Sequence, residues 1–122
     1  MGERDPKQER RKSSRVALET CVNLASDSNF YTGFSEDISE GGVFVATYCL
    51  QPIGTLVELT FGLPGGFSVS AKGSVRWIRD VLDLDDRSSP GMGIAFEAIS
   101  AEDKSLIEQF MRNRPPIFYS DE

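Results

Sequence analysis

From residue 16 onward apolar and polar positions alternate with a period of two, the mark of strands that bury one face. Val16, Leu18, Thr20, Val22 and Leu24 fall on one side, with Ala17, Glu19, Cys21 and Asn23 between them. This predicts a first strand over 16–24, and Cys21 within it reads as a small buried thiol. Ala25-Ser26-Asp27-Ser28-Asn29 is rich in turn formers and breaks the run. A second strand over 30–38, weakened by Gly33, ends in Ser39-Glu40-Gly41-Gly42 and pairs as a hairpin with a third over 43–47. A fourth strand covers 55–61, before the turn at Leu63-Pro64-Gly65-Gly66. The alternation is clearest in the fifth. Val69, Ala71, Gly73, Val75 and Trp77 face one way, and Ser68, Ser70, Lys72, Ser74 and Arg76 the other, as in a half-buried antiparallel strand. Trp77 then belongs to the core or to its rim. A last strand covers 93–98.

The period changes once. After Ser100, placed to cap a helix, Glu102 and Asp103 lie in the first turn, where carboxylates favour the helix dipole. Leu106, Ile107, Phe110 and Met111 form one apolar stripe, Arg112 and Arg114 close the helix, and Pro115-Pro116 stops it. The stripe is expected to pack on one open end or face of the sheet. Short strands, glycine turns and one terminal helix predict a mainly β fold: a small antiparallel barrel with a C-terminal helix.

With 122 residues the chain forms one domain, able to bury about two-thirds of its unfolded surface. Residues 1–14 read as a flexible basic arm, 15–114 as the barrel with its helix, and 115–122 as a tail. No apolar run of membrane length and no signal peptide are expected, and the simplest compartment is the cytoplasm. Residues 80–89 are charged and read as an exposed loop. Their carboxylates lack the register of a calcium loop. The net charge of −6 is unevenly spread: residues 1–15 hold six basic and three acidic side chains, and the rest seven and sixteen. An acidic body does not suit a nucleic-acid polymer, which needs a basic face. The basic arm suits a compact anion.

Catalytic equipment is not evident. The chain has no histidine, no nucleophile elbow and no phosphate-binding glycine loop. Glu36 and Asp37 are adjacent, so in a regular strand they point to opposite faces and do not converge on a substrate. No enzyme activity, metal or cofactor is expected. A different constellation stands out. Arg11 and Arg15 lie four residues apart, where both project from the same side of a strand or a helical turn. Each carries a planar fork of donors matched to a guanine edge or a phosphate. Further on, Asp37-Ile38-Ser39-Glu40-Gly41-Gly42 sets an acceptor and a hydroxyl two residues apart, followed by glycines. The same stretch also makes sense as a plain turn with side chains bonded to local backbone.

Arg-x-x-x-Arg followed by Asp-x-Ser-x-x-Gly resembles the PilZ domain, the bacterial receptor module for cyclic di-GMP. Arg10 precedes the first half, as in the commoner longer form. The similarity continues through Gly42-Val43-Phe44-Val45, Gly73-Ser74-Val75-Arg76-Trp77 and Gly91-Met92-Gly93-Ile94-Ala95-Phe96, spanning roughly 10–112. It implies a six-stranded barrel with a C-terminal helix. It also implies that Arg10, Arg11 and Arg15 recognise guanine and phosphate, with Asp37, Ser39 and Gly42 as the barrel half of the site. Asp37 can accept from the guanine Watson–Crick edge, Ser39 can bond a phosphate or base edge, and Gly41 and Gly42 keep the surface clear for a flat ligand. The expected function is a cyclic di-GMP receptor that orders its arm on the barrel and signals to a protein effector. The alternative is a PilZ-like adaptor in motility or pilus control that binds no nucleotide. Such members usually lack the arginines or the Asp-x-Ser motif, and this chain keeps both.

Overall fold

The fold was taken from a computed structural model that describes residues 15–80 and 89–115. The basic arm before residue 15, residues 81–88 of the charged connection and residues 116–122 of the tail lie outside the described residues. The strands are β1 (Val16–Ala17), β2 (Cys21–Ser26), β3 (Asn29–Ser39), β4 (Gly42–Ala46), β5 (Leu56–Leu63), β6 (Phe67–Arg79) and β7 (Gly91–Ile99), followed by helix α1 (Ala101–Arg112). Antiparallel pairing runs β3-β2-β5-β6-β7-β4, and β4 returns to β3 to close a six-stranded barrel. The two-residue β1 lies outside that ring, beside the half of β3 that β2 leaves unpaired.

The predicted first strand is thus two. Between its halves, Leu18 and Thr20 are fastened to Ser35: the Ser35 hydroxyl accepts from the Thr20 amide at 3.0 Å and bonds the Leu18 carbonyl, while the Ser35 amide donates to the Thr20 carbonyl at 2.9 Å. The alternation survives this break, because Val16, Leu18, Val22 and Leu24 all remain buried. Cys21 corrects an expectation. It is exposed, since it stands on the opposite side from Val22 and faces outward, paired with Phe34.

The barrel interior is filled by branched aliphatic side chains, among them Val22, Ile38, Val45, Val57, Val75 and Ile94. Helix α1 closes one end. Ile107 is fully buried, and Leu106, Phe110 and Met111 pack on the core around it. Burying one such side chain stabilises by about 1.5–3 kcal/mol. The Ser100 side chain caps the helix by accepting from the Asp103 amide at 3.0 Å. Asp103 in turn accepts from the Ser70 amide at 3.1 Å, which ties the first turn to β6. No helix among the described residues is long and apolar enough to cross a membrane.

Among the described residues three bulges interrupt the ladders, and each adds one charged residue. Ser35 and Asp37 pair with consecutive residues of β4, so Glu36 is extra in β3. Val75 and Trp77 pair with consecutive residues of β7, so Arg76 is extra in β6, and by the same count Glu97 is extra in β7. A bulge reverses the side that subsequent residues face. Trp77 therefore leaves the side it was expected to share with Val75 and lies on the outer wall. Glu36 likewise escapes the strict alternation that would set it opposite Asp37.

Candidate functional site

Asp37 and Ser39 are two residues apart in β3 and so share its outer side. The hairpin turn at Glu40 and Gly41 brings Gly42 opposite Ser39. Arg15, immediately before β1, reaches across all three. Its Nε donates to Asp37 Oδ1, its Nη1 to Ser39 Oγ at 3.3 Å, and its Nη2 to the Gly42 carbonyl at 3.4 Å. The Ser39 hydroxyl also accepts from the Gly41 amide at 3.2 Å. Turn and clamp are therefore one structure, with Asp37 nearly buried and Arg15 part-exposed. Among the described residues no buried side-chain nitrogen or oxygen lacks a hydrogen-bond partner. Arg10 and Arg11 lie outside the described residues.

Small residues continue the surface away from Arg15. Gly42 pairs with Ala95, and Ala95 with Ser74. Arg15, Gly41, Gly42, Arg76, Trp77 and Ala95 line a shallow dish of about 130 Å³, well below the roughly 300–1,000 Å³ of a cleft that engulfs its ligand. Arg15, bonded to Asp37, stands at one rim of this dish, and Arg76 and Trp77 at the other. Gly41 has open space where a side chain would be. Gly42 lines the dish and also packs, because a Cβ there would meet the Ile94 carbonyl oxygen at 2.3 Å. The glycine is required for β4 to pack against β7.

The far rim is built from the bulged part of β6. Trp77 pairs with Gly93, and an added Cβ at Gly93 would fall 2.0 Å from the indole nitrogen. The indole thus lies on bare backbone and stacks on Phe44, with ring centroids 5.0 Å apart and planes at 24°. On Phe44 also sits the Arg79 guanidinium, 4.4 Å from the ring centre. Arg79 donates to Glu36 at 2.8 Å and to the Ser89 carbonyl at 2.6 Å. Glu36 and Asp37 are each taken by a different arginine, so the adjacent carboxylates do not converge despite the bulge.

Trp77 is half exposed and belongs to the rim. Simple alternation makes Arg76 one more solvated position, and no sequence signal marks it as part of the site. Phe30 and Tyr31 stand apart from the dish: Phe30 is exposed on another wall, and the Tyr31 hydroxyl lies 3.1 Å from Ser26 Oγ.

Comparison with protein families matches the PilZ domain over residues 9–113. The chain belongs to the PilZ domain family. No match was found among curated protein sequences. Among solved structures, this PilZ domain is similar to the Bacillus subtilis inhibitor of motility MotI/DgrA, with TM-score 0.71 and 20% identity over 84% of this chain and 50% of that one. It therefore spans about half the length of that protein. It is also similar to the PilZ domain of Escherichia coli YcgR solved with cyclic di-GMP, with TM-score 0.63 and 16% identity, covering 84% of this chain and 92% of that one. The K. pneumonia MrkH–cyclic di-GMP complex matches with TM-score 0.69 and 18% identity, over 93% of this chain and 53% of that one. At these identities the likeness is one of fold.

Proposed function

We propose that this PilZ domain is a receptor for cyclic di-GMP rather than an enzyme, and that ligand binding alters its contact with a protein effector. The observation that carries the reading is the Arg15 fork spanning Asp37, Ser39 and the Gly42 carbonyl beside an open dish. A guanine over the dish would offer N1–H and N2–H₂ to Asp37 and its O6/N7 edge to an arginine, and Trp77 offers a face for stacking. The phosphodiesters suit Arg15 and Arg76. Arg10 and Arg11 would close over the ligand from the arm, and their gathering is the signal that the effector reads.

Recruiting the arm limits affinity. Each ordered backbone residue costs about 1–2 kcal/mol, whereas a good bidentate guanine contact contributes about 1–3 kcal/mol of discrimination. The expected dissociation constant is about micromolar, on the order of −8 kcal/mol. Limited proteolysis tests the arm: cleavage near Arg10 should slow when cyclic di-GMP is added. Equal cleavage with and without nucleotide would remove the switch from the account.

A further inference from the structure

On the wall formed by β2, β5, β6 and β7, with Phe30 of β3 beside it, lies a groove of about 670 Å³, separate from Arg15 and Asp37. Two apolar side chains stand in it with little cover: Phe30 is 84% exposed and Leu56 69%. Large apolar side chains are seldom left together in water without a use. The groove also carries Asp27, Glu58 and Glu97 against a single ammonium, Lys72, so its charge is net negative at neutral pH. Apolar walls with an acidic rim fit one class of occupant. We propose that this groove docks a protein segment in which Lys or Arg residues alternate with apolar side chains, and that the Arg76–Glu97 pair links its affinity to the nucleotide dish.

The link follows from two bulges. Arg76 and Glu97 are the extra residues of neighbouring strands, and bulges re-aim side chains that a regular ladder would hold in line. Arg76 lines the dish and Glu97 lines the groove. They face each other at 3.9 Å, and Ser74 donates to the same Glu97 oxygen. An anionic ligand that draws Arg76 leaves Glu97 to the groove and strengthens its pull on a cation. The pair is largely exposed, so the coupling is small, at most about fivefold in an equilibrium constant. By reciprocity, groove occupancy tightens nucleotide binding by the same factor.

The coupling rests on the nucleotide reading above; the docking does not. The test is an NMR titration of the full chain with a short peptide alternating arginine and leucine, beside a twin carrying glutamate for arginine. The cationic peptide should shift the amide signals of Phe30, Leu56, Glu58 and Glu97. The exposed Leu56→Ser change should weaken it at least about fivefold without altering the fold. Saturating cyclic di-GMP should tighten peptide binding by about two- to fivefold, and Glu97→Gln should abolish that gain. No shifts, equal shifts with the acidic twin, or no effect of nucleotide that does bind would overturn the proposal. A protein that takes up the cationic peptide but shows no nucleotide binding at all would overturn the receptor reading and leave the docking surface standing.

Discussion

Trp77 lies flat on Gly93 and stacks on Phe44 across the strand between them, with ring centroids 5.0 Å apart. The arrangement exists because β7 supplies no side chain at that point and because the bulge at Arg76 turns the indole outward. It places the chain's one tryptophan at the edge of the dish, where its fluorescence reports on the site.

Gly93→Ala should dislodge that indole. The new methyl would sit 2.0 Å from the indole nitrogen, so the ring must lift from the backbone. We expect a red shift in emission and a loss of about 1–3 kcal/mol of stability, as for other overpacked contacts. Unchanged emission would mean that the ring does not rest there.

Arg79→Ala should disturb the same stack from the other side. The substitution removes the 2.8 Å ion pair to Glu36 and the guanidinium over Phe44. Both groups of the pair are part-exposed, so the loss is about 1–2 kcal/mol in chemical denaturation. Trp77 emission should shift with it, whereas a purely local surface pair would leave the spectrum alone.

Gly41 and Gly42 should behave differently although they are neighbours. Gly42→Ala presses a methyl to 2.3 Å from the Ile94 carbonyl oxygen and should cost about 1–3 kcal/mol. Gly41→Ala meets nothing within 4 Å and should leave stability within about 0.5 kcal/mol. Thermal melts of the two variants separate a packing glycine from one that clears a surface. Equal melting temperatures would contradict the distinction.

Much of this was legible in the chain. Alternation placed the buried faces of β2 and of β6 as far as Val75, and the switch to a helical period after Ser100 located α1 with its cap and its packing stripe. The shared outward side of Asp37 and Ser39 could be read as spacing, because the two lie on one strand face by period alone. The three bulges could not be read. Nothing in Ser-Glu-Asp at 35–37 or Val-Arg-Trp at 75–77 marks an extra residue, because a bulge is set by what the neighbouring strand offers. The misplaced side of Trp77, the missing role for Arg76 and the pairing of Glu36 with Arg79 follow from that one omission. Cys21 departs from expectation for another reason: free cysteine is often buried, but the outward parity of its strand exposes it.

The central claim is that Arg15 and Asp37 form one half of a nucleotide clamp. Calorimetric titration of the full chain with cyclic di-GMP, beside Arg15→Ala and Asp37→Ala, tests it most directly. The account predicts a dissociation constant of about 1 μM for the unaltered chain and a loss of at least about tenfold in each variant, corresponding to about 1.4 kcal/mol. No heat with the unaltered chain, or equal titrations in folded variants, would contradict it.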